Sequence, residues 1–206
     1  MLEELAKRAS AELRLREAAI DEVMSGARRV RVLSKQAILQ INSDAVEGAE
    51  AKLRVASRLL QEIKEIIREK PELGCFGQVN AAMEEHAEAK ILYRLKTSDE
   101  FPDPDEVGVP LKAYILGLGD VPGELRRQAL DALRVGDLEL AESHLSTMEH
   151  VYLTLISMEE GTYLKGLRRK LDIARGVIER TRSDLTAEAG RRRLDESVRR
   201  LADRLE

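Results

Sequence analysis

Two pairs of carboxylates at helical spacing are the residues of this chain whose types and spacing point most directly to chemistry. Glu85 and Glu88 lie in AMEEHAEAKILYRL, and Asp120 and Glu124 lie in LGLGDVPGELRRQAL. Residues three or four positions apart share one face of a helix, so each segment presents two carboxylates in one direction. If the two faces meet, the four negative groups repel one another unless a divalent cation neutralises them. Mg²⁺ is the expected cation, with Mn²⁺ as an alternative, because it binds carboxylate oxygens and can orient a phosphate.

Both pairs also have an ordinary structural interpretation. Glu-x-x-Glu is common on solvated helices, and the chain contains 38 Asp and Glu among 206 residues. Asp120 could instead be the N-cap of a helix that begins at Val121, with Pro122 in its first turn. A site is favoured by the apolar stripe beside the first pair and by the glycines around the second, where a backbone or a ligand could approach closely. These glycines are Gly117, Gly119 and Gly123.

Three clusters of basic residues are candidate contacts for a phosphate backbone. A run of charge is often only a solvated face, and the net charge of −4 argues against a uniformly basic nucleic-acid coat. Aromatic residues make up only 3% of the chain, so a platform for stacking bases is not expected. The clusters are Arg28, Arg29, Arg31 and Lys35; Arg168, Arg169 and Lys170; and Arg191, Arg192 and Arg193.

The composition predicts a globular, cytoplasmic, all-α protein. Hydrophobic residues make up 43% and charged residues 35% of a chain that is long enough to bury one core. The single Cys75 excludes an internal disulfide and a cysteine-based zinc site. The charged N-terminal segment does not resemble a signal peptide, and no stretch is apolar enough to span a bilayer.

Apolar periodicity predicts about seven helices in one domain over residues 1–206. No stretch alternates Val, Ile and Thr as a strand would. Pro122 should kink or restart a helix, and the proline-rich segment 97–110 is expected to be a loop, a candidate lid or linker. The predicted helices cover 3–42, a second segment that starts at Ser43 or Asp44 and ends before Pro71, about 76–97, a segment from Pro110 to Gly136, 138–157, 160–183 and 185–205.

Four segments, in order along most of the chain, resemble the translin superfamily and specifically its TRAX (translin-associated factor X) branch. EHAEAKILYRLK resembles the family's E-x-x-E-A segment, and GLGDVPGELRRQALDALRVGDLELA resembles its D-x-x-G-E-L-x-R segment. YLKGLRRKLDIARGVIE resembles the penultimate basic helix, and ARRVRVLSKQAILQI resembles the early helix with basic residues. Four segments in register make the resemblance more specific than any one of them.

The resemblance implies a fold, a reaction and an assembly. TRAX is the catalytic partner of translin in an octameric, Mg²⁺-dependent ribonuclease, and its catalytic carboxylates correspond to Glu85, Glu88, Asp120 and Glu124. The implied protein is a prokaryotic or archaeal homologue that forms a homo-oligomer, an octamer by analogy, with the active sites inside. The residues of the basic clusters predicted to bind RNA are Arg28, Arg29, Arg31, Lys35, Arg168, Arg169 and Lys170.

Three hypotheses about function follow. The first is a Mg²⁺-dependent endoribonuclease that acts on single-stranded RNA. The second is a translin-like protein that binds single-stranded RNA or DNA without cleaving it. The third is a helical scaffold without either activity. The complete set of four acids favours the first hypothesis over the second, and basic clusters on one surface would favour the second over the third.

Overall fold

A computed structural model describes residues 1–158 and 164–204 of the chain. The described residues form helices joined by short connections, and no strand occurs among them. The predicted all-α fold class is therefore confirmed. The α-helices are α1 (Leu2–Asn42), α2 (Val46–Glu69), α3 (Gly77–Ser98), α4 (Pro104–Val107), α5 (Leu111–Leu118), α6 (Val121–Val135), α7 (Leu138–Ile156) and α8 (Leu167–Ala202), and a 3-10 helix covers Pro71–Cys75.

The chain divides into two compact units. The first unit covers Met1–Gly117 and the second covers Leu118–Glu206. The prediction of one domain over residues 1–206 stays a prediction. Each unit has its own packed helices.

In the first unit, α1, α2 and α3 pack against one another. Apolar residues at steps of three and four place a continuous stripe of α1 in the core, as the periodicity predicts. Most positions in the middle of α3 are buried, so this helix is enclosed on nearly every side. A helix in that environment places its polar side chains against partners, because an unpaired polar group is costly in a core. The core stripe of α1 is Val23, Ala27, Val30, Ala37, Ile38 and Ile41.

The proline-rich segment between α3 and α5 is packed onto its unit. The hydroxyl of Tyr114 donates a hydrogen bond to the carbonyl of Pro102 at 2.7 Å, and the ammonium of Lys64 donates to the carbonyl of Gly108. Val107 and Val109 are buried. The expected loop therefore contains the one-turn helix α4 and has several anchors, which a free lid or linker would lack.

In the second unit, α6, α7 and α8 pack against one another. Their small apolar core contains Ala129, Ala132, Ala141 and Leu185. Arg126 joins α6 to α8, because its guanidinium donates to the Thr181 hydroxyl at 3.0 Å and forms an ion pair with Asp184 at 2.9 Å.

The helix boundaries confirm most of the predicted breaks and correct one. Pro122 restarts the helix as predicted, since α5 ends at Leu118 and α6 begins at Val121. The predicted break between residues 183 and 185 is wrong, because α8 runs through it without interruption. Asp184 does not cap a new helix there but pairs with Arg126 of α6. The predicted helix start at residue 160 lies outside the described residues.

In the ranges 1–158 and 164–204, no helix is both long enough and apolar enough to cross a membrane.

Gly117 brings α5 into contact with the backbone of α3. A Cβ atom at this position would lie 2.5 Å from the carbonyl oxygen of Glu84 and 2.8 Å from the Cβ of Ala87. It would also lie 3.0 Å from the amide nitrogen of Glu88. These atoms are backbone or rigid, so they cannot move aside as the end of a long side chain could. The expectation that the glycines permit close approach is thus confirmed at Gly117, whereas Gly123 faces open space.

His86 is a fully buried histidine that joins α3 to α2. Its Nε2 lies 3.2 Å from the hydroxyl of Ser57, and its Nδ1 has no hydrogen-bond partner among the described residues. Burial, together with the positive charges of Lys90 and Lys64, lowers the pKa of His86 to about 3. The imidazole is therefore neutral in the folded protein near pH 7.

Acid destabilisation is the first prediction, and it follows from this neutral imidazole. The unfolded chain takes up a proton at His86 below about pH 6.5, whereas the folded chain resists protonation until about pH 3. The stability contributed by the neutral form is complete above the unfolded pKa and is lost as the pH falls below it. His86→Gln should remove about 1.4 kcal/mol per pH unit from the pH dependence of the free energy of unfolding between these pH values.

Urea unfolding at several pH values measures this difference. The matched control is His150→Gln, which changes an exposed histidine on α7 and should keep the wild-type pH dependence. Identical pH dependence in the wild type and in His86→Gln would contradict the buried, neutral imidazole.

The second prediction concerns the α3–α5 contact. Gly117→Ala should lower the free energy of unfolding by about 1–3 kcal/mol, because the added methyl group overlaps the backbone of α3. Gly123→Ala is the matched control, since nothing lies within 4 Å of its Cβ position and it lies in the first turn of α6. That variant should be neutral or gain up to about 1 kcal/mol. Equal stability losses in the two variants would show that close packing at Gly117 is not the cause.

Candidate functional site

The first predicted acid pair lies on α3, in the first unit. Glu88 is buried, with 8% of its surface exposed, and Glu85 lies one helical turn before it. The ammonium of Lys35, on α1, lies 3.8 Å from a carboxylate oxygen of Glu85. A carboxylate is buried as an anion only where cations or donors compensate its charge. The buried position of Glu88 therefore departs from the solvated-helix interpretation of the Glu-x-x-Glu motif.

The second predicted pair lies at the start of α6, in the second unit. Asp120 occupies the N-cap position, as the structural alternative predicted, but its side chain accepts no hydrogen bond from the backbone of α6. Its Oδ2 lies 2.5 Å from the ammonium of Lys170 on α8. An N-cap carboxylate ordinarily accepts a backbone N–H two or three residues later. Here the carboxylate is paired with a cation from another helix instead.

Glu124 lies in the first turn of α6, four residues after Asp120. Its carboxylate lies 3.6 Å from the guanidinium of Arg127 on the same helix, and its side chain is 20% exposed. A carboxylate in the first turn is stabilised by the positive end of the helix dipole. Arg126, two residues after Glu124, contacts Thr181 and Asp184 of α8. The orientation of Glu124 therefore depends on the packing of α6 against α8.

The four acids have the donor chemistry that Mg²⁺ requires. Carboxylate oxygens are hard ligands, and Mg²⁺ is commonly held by one or two carboxylates with water completing its shell. The Lys170 ammonium shows that the Asp120 carboxylate accepts a cation in this structure. Within the described ranges, no group of three or more His, Cys, Asp or Glu side chains is arranged to hold a metal ion. One pair lies in each unit, and the convergence of all four acids stays a prediction.

The predicted RNA-binding residues fall into two groups. Arg28 and Arg29 are exposed on α1, and Arg168 and Arg169 are exposed in the first turn of α8. The other three are oriented differently. Arg31 is half-buried, Lys35 pairs with Glu85, and Lys170 pairs with Asp120.

Sequence reasoning did not anticipate that each acid pair has a lysine partner from a predicted RNA-binding cluster. Lys170 is 50 residues from Asp120 in the chain, so no local spacing indicated the contact. One signal was available at the N-terminus of α8, where three successive cations follow Gly166 and Leu167. Cations are disfavoured at the positive end of a helix, so three of them in a first turn predict nearby anionic partners.

Comparison with known proteins identifies what this chain is similar to. It is 34% identical over 147 residues to an uncharacterized protein of Methanocaldococcus jannaschii, a match that covers 69% of this chain and 66% of that relative's length. A structure of AfC3PO in complex with duplex RNA has a TM-score of 0.81 and 37% identity, covering 93% of this chain and 98% of that one. A crystal structure of apo-NeC3PO has a TM-score of 0.82 at 24% identity, covering 89% and 96%, and shows the likeness of the fold alone.

The family model described as "Translin family" matches residues 18–181, which include all four predicted acids and both basic clusters assigned to RNA. The predicted resemblance is confirmed by this match and by the AfC3PO likeness. On this evidence the chain belongs to the Translin family.

Proposed function

We propose that the chain is a Mg²⁺-dependent endoribonuclease of the TRAX type that acts on single-stranded RNA. The observation that carries the proposal is the state of the predicted acids. Glu88 is buried on α3, and Asp120 is paired with a lysine although it occupies a helix N-cap. Carboxylates in these environments are better explained by a cation-binding role than by solvation or capping.

The proposed roles divide between acids and bases. Glu85, Glu88, Asp120 and Glu124 hold Mg²⁺, with Mn²⁺ as an alternative. A bound Mg²⁺ supplies polarisation of the scissile phosphate and activation of a water molecule. The exposed guanidinium groups of the two basic clusters bind the RNA backbone, because arginine forms paired hydrogen bonds with phosphate. These residues are Arg28 and Arg29 on α1 and Arg168 and Arg169 on α8, with Arg31 and Lys35 contributing at the edge of the first cluster.

RNA as the ligand class is supported by the AfC3PO structure, which holds duplex RNA. The single-stranded preference proposed for this chain follows from its basic clusters, which offer contacts to the phosphate backbone without an element that would read a duplex groove. A flexible single strand can bring its phosphates to separated cations more readily than a stiff duplex can. The same RNA sequence should therefore be tested as a single strand and as a duplex.

We also propose that the chain assembles into a homo-oligomer, with an octamer as the expected form. Support comes from apolar side chains that remain exposed near the end of α8. Leu194, Val198 and Leu201 recur at helical spacing and are more than half exposed. A stripe of this kind ordinarily lies against another helix. An enclosed assembly would also favour a thin single strand over a structured one.

A non-catalytic RNA-binding protein is the second candidate function. The observation that favours it is the lack, in the part of the chain that the structure describes, of three or more metal-binding side chains in one group. The two candidates differ in whether RNA is cut. The scaffold hypothesis predicts neither binding nor cutting.

The third prediction tests catalysis directly. Glu88→Gln, Asp120→Asn and Glu124→Gln should each lower the cleavage rate of labelled single-stranded RNA by about a hundredfold or more in Mg²⁺, because each removes a charged ligand and keeps the side-chain volume. EDTA should stop cleavage by the wild type. The matched control is Asp131→Asn, which changes an exposed acid on the same helix as Glu124 and should leave the rate unchanged.

Wild-type cleavage that persists in EDTA would refute the metal dependence. Equal rates in the wild type and the three variants would place the activity elsewhere. RNA binding without any cleavage in Mg²⁺ or Mn²⁺ would establish the second candidate function.

The fourth prediction tests the backbone contacts. Replacing Arg28 and Arg29 together by Gln should weaken RNA binding. It should also reduce the slope of log affinity against log salt concentration by about 0.7 for each lost contact with a single strand. The control pair is Arg54→Gln with Arg134→Gln, since both residues are exposed and paired along their own helices. Fluorescence anisotropy at several salt concentrations measures both quantities. If replacing Arg28 and Arg29 leaves the slope unchanged, these two residues do not contact RNA and are only part of a solvated helix face.

A further inference from the structure

The contact between Lys170 and Asp120 joins two residues that the sequence assigned to different roles. Lys170 was predicted to bind RNA and Asp120 to bind metal. The ammonium and the carboxylate oxygen lie 2.5 Å apart. The lysine side chain is only 18% exposed, whereas Arg168 and Arg169, which precede it on α8, are exposed. Lys170 is therefore turned toward the acid, whereas Arg168 and Arg169 are exposed to solvent.

Two features indicate that neither partner of this ion pair is in the position that its helix would favour. Asp120 lies at the N-cap of α6 but makes no side-chain cap hydrogen bond there. Lys170 lies at the start of α8, where the helix dipole is unfavourable for a cation. Each group would be better placed with another partner. For the carboxylate that partner is a divalent cation, and for the lysine it is a phosphate, which the positive end of a helix also favours.

We propose that Lys170 is an exchangeable counter-ion that couples metal binding to RNA binding. In the metal-free protein its ammonium neutralises Asp120. When a divalent cation binds Asp120, the two positive charges compete for one carboxylate, and the ammonium is displaced. The displaced ammonium, next to Arg168 and Arg169, then binds a phosphate of the RNA strand. Metal binding thereby adds one cation to the RNA-binding surface of the second unit.

The corresponding pair in the first unit is looser. Lys35 and Glu85 lie 3.8 Å apart, and the lysine side chain is 58% exposed. An exposed ion pair at this distance contributes little, so its competition with a metal is weak. The coupling is therefore assigned to Lys170.

This inference rests on the proposed function, and the fifth prediction is designed to separate the two. The probe for metal is Mn²⁺ alone, titrated into the full-length protein and followed by electron paramagnetic resonance. Asp120→Asn should weaken Mn²⁺ binding if Asp120 is a metal ligand. Lys170→Gln should bind Mn²⁺ about tenfold more tightly than the wild type, because the competing charge is gone. Lys170→Arg, which keeps the charge, should bind Mn²⁺ as the wild type does.

The coupling has its own measurement. The probe is a fluorescent single-stranded DNA 20-mer, a phosphate backbone that a ribonuclease does not cleave. Saturating Mn²⁺ should strengthen its binding to the wild type, and this gain should be absent in Lys170→Gln. Arg175→Gln is the matched control, since it removes one charge from the same helix at a residue paired with Glu179. It should keep both the wild-type Mn²⁺ affinity and the gain. Circular dichroism verifies that each variant is folded.

The outcomes distinguish the two claims. If Asp120→Asn binds Mn²⁺ as tightly as the wild type, the metal role of Asp120 in the proposed function is wrong, and the inference is overturned with it. If Asp120→Asn weakens Mn²⁺ binding but Lys170→Gln leaves the Mn²⁺ affinity or the gain unchanged, the proposed function stands and the inference alone is overturned.

Discussion

The enclosure of α3 is the constraint on which the first unit depends. This helix is buried on nearly every side, yet it has an imidazole and a carboxylate within its buried part. Polar groups in a core need partners, so the helices around α3 must supply them at fixed positions. Ser57 of α2 meets His86, and Lys35 of α1 lies 3.8 Å from Glu85, one helical turn before the buried Glu88. The close approach at Gly117 sets the distance between α5 and the same stretch of α3.

Charge compensation plays the corresponding part in the second unit. The start of α6 has one carboxylate at its N-cap and one in its first turn, and α8 supplies the cation that pairs with the N-cap Asp120. Arg126 makes the reverse connection, from α6 to Thr181 and Asp184 of α8. In one ion pair the cation comes from α8, and in the other it comes from α6. Together the two pairs fix α6 against α8. Because they involve partly buried groups, they are screened less by salt than surface ion pairs are.

These contacts change how the predicted functional residues should be viewed. From the sequence, the acids were predicted to hold metal and the basic residues to bind RNA. In the structure, two of the basic residues, both lysines, form ion pairs with the acids. Lys35 and Lys170 belong in space to the acid pairs. Arg28, Arg29, Arg168 and Arg169 remain exposed and available to a phosphate backbone.

The sequence by itself determined the features that depend on neighbours along the chain. Apolar periodicity predicted the helices, Pro122 predicted the restart between α5 and α6, and the spacing of the acids placed each pair on one helix. The predicted break between residues 183 and 185 was wrong, and the partner of Asp184 there is a guanidinium from another helix, which no local pattern reveals.

Only the tertiary structure decided which side chains lie opposite one another. Lys170 meets Asp120 across 50 positions of the chain, and His86 meets Ser57 across 29. The burial of Glu88 likewise depends on what surrounds α3 and not on the motif that contains it. The physical reason is that periodicity specifies which face of a helix is buried, whereas the angle and axial register between packed helices determine which residues on those faces touch.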